Sequence, residues 1–350
     1  MEKYQVIGLM SGTSLDGVDI AFCQFTYSEG RWTFHVPCAE TISYSDDWKR
    51  ALSQVETGSA IEFVNTDVDY GHLLGHLTRE FILRHNIQPD FIASHGHTIF
   101  HQPDRRITSQ IGRGSAIAAE TGHRVVCDFR STDVALGGQG APLVPIGDML
   151  LFKEFDFCLN IGGFTNISFQ SGDQRIAYDI CPANIVLNQL ASRLGLEYDA
   201  DGDLAASGVV NDHLLEAFNA LPFYAMEFPK SLGKEWVLKN IFPLMDHSGY
   251  SIPDLLATFC EHIAMQVALS SGANGQSKML ITGGGAFNKH LIGRIIHHAA
   301  PQIFLPSALT INFKEAMIFA FLGVLRWRNE TTCLQSVTGA IRDSSSGAIY

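Results

Sequence analysis

The apolar positions fall into short runs broken by turn chemistry, with a few stretches at helical spacing between them. Val6, Ile7, Leu9 and Met10 form one run, which stops at Ser11-Gly12-Thr13-Ser14; Val18, Ile20, Phe22 and Phe25 form a second almost at once. Two apolar runs joined by a Gly/Ser/Asp cluster predict a β-hairpin over Val6 to Phe25. Arg31 to Ser43, with Trp32, Phe34, Val36 and Ile42, predicts a third strand. Val64 to His85 sets Leu73, Leu74, Leu77, Phe81 and Ile82 three and four residues apart, which predicts a helix, and Pro89 follows its end. Phe91 to Ala93 reads as a short buried strand that runs into Ser94-His95-Gly96-His97-Thr98. Gln110 to Gly122 reads as a helix and His123 to Cys127 as a strand. Strands alternating with helices are an α/β pattern.

Gly137 to Pro145 holds three glycines and two prolines and is the best candidate for a hinge or domain crossing. Beyond it the pattern restarts. Phe157 to Ile161 is apolar, Gly162-Gly163-Phe164-Thr165-Asn166 is a tight turn, Ile167 to Phe169 returns, and Arg175 to Asp179 is a third strand. Cys181-Pro182-Ala183 is expected to break that strand before a helix over Asn184 to Leu194. Pro253 to Ser270 is the strongest helix, with Ser251 as N-cap and Gly272 past its end. Lys278 to Ile281 is a buried strand emptying into Thr282-Gly283-Gly284-Gly285, and Lys314 to Trp327 is a further apolar helix with Glu315 near its start. A hairpin with a glycine-rich turn thus opens both halves, a weak internal duplication carried by pattern and not by residue identity.

Length and charge narrow the class. The 350 residues suffice for two domains, and 46% hydrophobic with 17% charged residues describes a soluble globular chain. A net charge of −12 argues against a nucleic-acid partner. Seven scattered cysteines without a C-x-x-C pair, and no signal peptide or 18-residue apolar run, lead to the expectation of a cytoplasmic protein with reduced thiols and no membrane span.

The chemistry concentrates in the turns. Gly12 and Gly17 permit close approach of a ligand, Thr13 and Ser14 offer hydroxyls, and Asp16 and Asp19 offer carboxylates for Mg²⁺ or its water. With Gly162/Gly163 and Gly283 to Gly285, three glycine-rich turns at strand ends suggest a nucleotide gripped in an interdomain cleft. Neither the P-loop nor the dinucleotide fingerprint is present. His95, His97 and His101 form H-x-H-x₃-H, for which hydrogen bonding to a substrate or a loop is favoured over metal binding. Asp179, ending a strand, is placed as a general base, with an ordinary turn Asp as the alternative. Cys181 has no positioned His or cation to activate it as a nucleophile.

These motifs together resemble one family. GLMSGTSLDGVDIA, ASHGHTIFHQP, SQIGRGSAIA, VVCDFRSTDVALGGQGAPLVP, LNIGGFTNIS, FPKSLGKEW, ITGGGAFN, EAMIFAFL and VTGAIRDSSSGAIY span the chain in the order of the anhydro-N-acetylmuramic acid kinases, of the acetate kinase, sugar kinase, Hsp70 and actin superfamily. The resemblance implies an α/β fold of two ribonuclease H-like, actin-like domains, 1–140 and 141–350, with the return of the extreme C-terminus to the first domain left open. It implies ATP and Mg²⁺ as cofactors, and an anhydro sugar opened by water and phosphorylated in one event during peptidoglycan recycling. It assigns Gly12, Thr13, Ser14, Leu15, Asp16, Gly17, Val18 and Asp19 to the first phosphate loop, with Asp16 a metal ligand, Gly162 and Gly163 to the second, and Gly283, Gly284 and Gly285 to the adenosine side. Asp179 and Glu315 become catalytic candidates, and Ser11, His95, His97, Arg113 and Asn184 substrate-binding ones. A homodimer is expected from the resemblance alone. Ile180-Cys181 and Arg113 depart from the family pattern, which keeps open a kinase of another acidic sugar, or a non-catalytic nucleotide-binding homologue.

Overall fold

The first hairpin forms because each run has a partner that completes its burial. In the computed structural model, which describes residues 1–12, 15–246, 249–272 and 274–350, β1 (Glu2–Ser11) pairs antiparallel with β2 (Gly17–Ser28), with Leu9 opposite Ile20 and Met10 opposite Asp19. β3 (Arg31–Ser43) pairs antiparallel with β2. On its other side β1 lies parallel to β4 (Phe91–Gln102), and β4 lies parallel to β6 (Val125–Cys127). A strand flanked on both sides and covered on both faces reads as a continuous apolar run, and Val6, Ile7 and Leu9 are buried accordingly.

Two units result: Met1–Leu151 with Phe313–Tyr350, and Phe152–Asn312. The first contains those strands, β5 (Ile107–Ile111) against β4, and β12 (Ala348–Ile349) against β6, giving the order β12-β6-β4-β1-β2-β3. In the second, β7 (Phe157–Ile161), β8 (Phe164–Ser171), β9 (Gln174–Pro182), β10 (Lys278–Thr282) and β11 (Gln302–Phe304) take the order β11-β10-β7-β8-β9. Three antiparallel strands followed by two parallel ones, in spatial order 3-2-1-4-5, therefore occur twice. That is the ribonuclease H-like arrangement, and it makes the duplication explicit.

Several boundaries differ from expectation. β4 runs for twelve residues, well past Ala93, because β1 and β5 supply hydrogen-bond partners along its polar half. Gln110 and Ile111 belong to β5, so the next helix covers only Gly114–Thr121. β9 continues through Cys181 and Pro182, since Cys181 pairs with Thr165 and Pro182 with Phe164. The Gly137 to Pro145 stretch is not the crossing. It lies within the first unit, where the Asp133 carboxylate accepts the Gly140 N–H at 2.8 Å, Arg130 donates to the Gly140 carbonyl at 2.5 Å and Gln139 N–H donates to the Thr338 carbonyl at 2.8 Å. Its glycines serve a fixed loop. The chain crosses after Leu151 and returns at Phe313.

The return falls inside the helix Ala308–Trp327, whose backbone leaves helical geometry at Phe313 (φ −113°, ψ 16°). Among the described residues it alone is long and apolar enough to cross a membrane by length and composition, yet 67% of its most apolar stretch is buried inside the protein. Its residues Ala316 to Leu322, Val324 and Leu325 form core. The helix sits directly on the sheet: a Cβ at Gly8 of β1 would lie 2.0 Å from the Ala316 carbonyl oxygen, and one at Gly323 would lie 2.7 Å from Ala93 Cβ in β4. Overpacking of this kind costs about 1–3 kcal/mol. Gly8→Ala is therefore expected to lower the unfolding free energy by an amount in that range, seen as a lower urea midpoint, and a wild-type midpoint in Gly8→Ala would refute the close approach.

Candidate active site

Each unit carries its own half of the candidate chemistry. In the first unit, Ser11 ends β1 opposite His97 of β4, beyond a bulge after Leu9. Ser11 Oγ lies 2.8 Å from His97 Nδ1 and 2.6 Å from Tyr44 OH, and Tyr44 OH lies 2.5 Å from Tyr70 OH. All four side chains are buried. Burial holds His97 below the usual imidazole range, so it is neutral. His95 points elsewhere, because Gly96 between them takes a left-handed backbone (φ 73°) and breaks the alternation. The His95 Nδ1–H donates to the Gly96 carbonyl at 2.9 Å, and Nε2 accepts from Arg130 Nε at 3.0 Å and Nη2 at 2.9 Å. Burial, then the Arg130 charge, drives His95 well below its usual pKa. His101 turns to Thr108 at 3.1 Å. The three histidines do not converge, and among the described residues no group of three His, Cys, Asp or Glu side chains is placed to hold a metal ion.

Three carboxyls in the two units are pushed above the usual range. Asp19, half-buried in β2, is raised by burial; the Thr41 hydroxyl donating at 2.6 Å opposes this and the Asp16 charge reinforces it. Glu315 is raised by desolvation, with Arg130 opposing and Asp19 adding to the shift. Its side chain reaches solvent. Both observations hold for a carboxyl on a concave surface, touched by few atoms but surrounded by many. Its neighbour Lys314 is fully buried in a 2.8 Å ion pair with Asp148, also buried. Arg130 is lowered by burial to about 10.

Asp16 is exposed, Leu15 takes a left-handed backbone (φ 61°), and Leu15 N–H meets the Gly12 carbonyl at 3.4 Å. A Cβ on Gly17 would lie 2.3 Å from the Ile42 carbonyl, so this glycine is required by the strand beside it. Thr13 and Ser14 lie outside the described residues. Arg113 is engaged by Asp67, with Nε donating at 2.9 Å and Nη2 at 2.8 Å. It lines a polar cavity of about 400 Å³ with Asp67, Ser94, His95, Gln110 and Asp128.

In the second unit, Asp179 is half-buried near the end of β9. Its N–H donates to the Lys230 carbonyl at 3.1 Å, and the Leu232 N–H donates to Asp179 Oδ2 at 2.9 Å. No other donor among the described residues reaches the carboxylate. Desolvation raises its pKa and the Leu232 bond partly offsets that. Ile180 and Cys181 are buried in the unit's core, and the Cys181 thiol is close enough to Asp179 to feel its charge. Burial pushes the Cys181 thiol up to about 12, which removes it as a nucleophile.

The two glycine turns of this unit meet. A Cβ on Gly283 (φ 82°) would lie 2.7 Å from Asn160 Oδ1 and from the Ile161 carbonyl, and one on Gly285 would lie 2.2 Å from Ile161 Cγ2. Asn184 N–H donates to the Gly162 carbonyl at 3.1 Å, and its side-chain amide reaches the Ile161 carbonyl at 3.4 Å. Gly163 has open space where a Cβ would be.

A duplicated ribonuclease H-like fold with glycine turns at the ends of its strands is the architecture of the actin-like, sugar-kinase class. The comparisons are more specific. The model of the anhydro-N-acetylmuramic acid kinase family matches residues 4–350. The anhydro-N-acetylmuramic acid kinase of Sulfurovum sp. (strain NBC37-1) is 34% identical over 366 residues, covering 100% of both chains. That of Aliivibrio fischeri is 35% identical over 371 residues, covering 100% of this chain and 99% of its own, and that of Pseudomonas putida 35% over 363 residues, covering 98% of each. The chain belongs to the anhydro-N-acetylmuramic acid kinase family: it is an enzyme, an ATP-using kinase of a cell-wall amino sugar.

Sequence reasoning passed over Tyr44, Tyr70, Arg130 and the Lys230–Leu232 segment. Arg130 and Lys230 stood inside the family motifs, whereas nothing local marked the two tyrosines. Since Gly283 combines a left-handed backbone with a filled Cβ position, Gly283→Ala is expected to cost the second unit roughly 1–3 kcal/mol in chemical denaturation. Unchanged stability would contradict the meeting of the two turns.

Proposed function

We propose that this enzyme opens 1,6-anhydro-N-acetylmuramic acid with water and transfers the γ-phosphoryl group of ATP to the freed oxygen, with Asp179 as the general base. Water attacks the anomeric carbon and gives its proton to Asp179. The bond from that carbon to the bridge oxygen breaks, the bridge oxygen bonds to the γ-phosphorus, and the bond to ADP breaks. The products are N-acetylmuramic acid 6-phosphate and ADP. A glycosidase needs a carboxylic acid to protonate its leaving oxygen; here the phosphoryl group takes that place, so one base suffices.

The observation that carries this role is the state of Asp179. One oxygen is anchored by Leu232 N–H, the other is unengaged by described residues, and desolvation makes the carboxylate more basic than a free Asp. Glu315, also raised, is proposed to orient the water or sugar in the first unit. The loop from Gly12 to Asp19 is proposed to hold phosphate, with Gly162, Gly163 and Gly283 to Gly285 on the nucleotide. Mg²⁺, when bound, would neutralise phosphate charge. Asp16 and Asp19 are hard oxygen donors that suit it, and with no protein cage among the described residues it would keep water and phosphate ligands. The Arg113 guanidinium is already compensated by Asp67, which favours a positioning role over direct capture of the sugar's carboxylate.

Asp179→Asn keeps an acceptor for Leu232 N–H and removes the base. It is expected to lower kcat roughly 10²–10⁴-fold while leaving ATP binding intact. Retained turnover to the sugar phosphate would remove Asp179 from the mechanism. In wild type, kcat/KM is expected to fall with acid below an apparent pKa higher than that of a free Asp, because the raised group protonates earlier as pH drops. The same shift fixes a stability sign. A carboxyl whose folded pKa exceeds its unfolded one favours the folded state when protonated, and that contribution is lost as pH rises through the folded value. Asp179→Asn should therefore unfold at the wild-type temperature or higher at pH 7, and a clear drop in Tm would contradict the desolvated charge.

A further inference from the structure

The Leu232 N–H that anchors Asp179 follows a stretch with little to hold it. Ala225 to Pro229 are all exposed, and of these Phe228 is tied down by its ring, stacked on Tyr178 at 5.6 Å. From Lys230 the chain runs along the edge strand β9. The Lys230 carbonyl accepts the Asp179 N–H at 3.1 Å, and two residues on the Leu232 N–H donates to Asp179 Oδ2 at 2.9 Å. The Lys230 ammonium has separate partners. It lies 5.7 Å from the ring centre of Tyr178, the neighbour of Asp179 in β9, and 4.8 Å from that of Phe223, and it donates to the Phe223 carbonyl at 3.3 Å. A cation over two ring faces is attracted by both. Phe223 is a fixed post, buried in the 3₁₀ turn Pro222–Ala225 with the Trp236 ring 5.4 Å away. The hydroxyl of the next residue, Tyr224, lies 2.9 Å from Nε2 of His262, which is fully buried in the helix Ile252–Ser271 and has Nδ1 2.7 Å from Asn219 Oδ1.

We infer that Lys230 is a positioning residue: its ammonium joins β9 to the Phe223 post and so holds the Leu232 N–H against the Asp179 carboxylate. The part this plays in catalysis rests on the proposed role of Asp179 as the base; the clamp itself does not. The Lys230 charge bears on Cys181 and not on Asp179, so its effect on the acid passes through the backbone. That arrangement suits a base. A cation set directly on the carboxylate would make it less basic, whereas one backbone donor orients it and leaves Oδ1 free to take a proton. Cys181, the titratable neighbour on β9, stays neutral because burial pushes its thiol up to about 12. A group held by a second layer of contacts keeps its geometry through the reaction, and here that layer is one ammonium between two rings.

The test compares Lys230→Met, which keeps the stem and removes the cation, with Lys230→Arg, which keeps a charged donor for the rings and the carbonyl. In Lys230→Met the amides of Leu232 and Asp179 should exchange with deuterium faster than in wild type. Turnover of the anhydro sugar should fall about three- to ten-fold in kcat, with the KM for ATP unchanged. The acid limb of kcat/KM should move to higher pH, because a carboxylate that loses a donor protonates more readily. Lys230→Arg should keep the wild-type exchange rates and acid limb. Wild-type exchange at both amides in Lys230→Met overturns the clamp. So does a moved limb with wild-type exchange, since the charge would then act through space. Faster exchange with wild-type kcat and acid limb overturns its part in catalysis. If Lys230→Met does not fold, Phe223→Leu, which removes one ring face and leaves the carbonyl, must show the same changes in smaller measure, and wild-type exchange there overturns the clamp. Turnover by Asp179→Asn overturns the assignment of the base instead, and the exchange rates still decide the clamp.

Discussion

The close approach of the Ala308–Trp327 helix to the first sheet constrains more of this molecule than any other contact. Two glycines permit it, one on each partner: Gly8 under the Ala316 carbonyl and Gly323 over Ala93. The helix is thereby held against β1 and β4 together, the two strands that also carry Ser11 and His97. Glu315 is the residue before Ala316, so backbone contact one position away sets where its carboxyl stands. Lys314 is tied to Asp148 within the same buried layer. A carboxylate delivered by a packed helix is held far more rigidly than one on a loop, and functional groups need that rigidity.

That rigidity is used to hold charge where water is scarce. Asp179, Glu315 and Asp19 are all raised by desolvation that their neighbours only partly relieve: a backbone N–H for Asp179, the Arg130 and Lys314 charges for Glu315, and a hydroxyl for Asp19. Purely structural carboxylates here behave otherwise. Glu261 is also desolvated, yet Arg294 and His298 at 2.5–2.8 Å more than offset the effect and bring it below its usual range. The contrast separates acids that close a network from acids left partly unpaired, and only the second kind is useful as a base near neutral pH.

Much of the architecture was legible because alternation and turn chemistry are local. Both hairpins, the helix capped by Ser251 and the strands before Gly162 and Gly283 follow from runs of a few residues. The misreadings share one cause, partners that are distant in sequence. His95 to Gln102 looks too polar for a strand until β5 is laid beside it. Gly137 to Pro145 looks like a hinge until Arg130, Asp133 and Thr338 are seen to hold it. The hydrogen bonds that organise the site span long separations: 33 residues from Ser11 to Tyr44, 86 from Ser11 to His97 and 53 from Asp179 to Leu232. No window along the chain contains both ends of such a bond. The family motifs marked several of these residues, including Arg130 and Lys230, without saying what each one touches.

The duplicated topology ends equivalent strands in two different chemistries. β4 and β10 are the fourth strands of their sheets and empty at equivalent places. At the end of β10 stand Gly283, Gly284 and Gly285, pressed against Ile161 and Asn160, so that unit presents bare backbone. Along β4 stand His95, whose two ring nitrogens are committed to the Gly96 carbonyl and Arg130, and His97, whose Nδ1 is held by Ser11, so that unit presents oriented side chains. Bare backbone approaches a flat or anionic group closely and discriminates little among them. Oriented side chains approach less closely but read the position of individual oxygens, because a misplaced acceptor leaves a buried donor unpaired. The same strand order thus ends in bare backbone in one unit and in oriented side chains in the other.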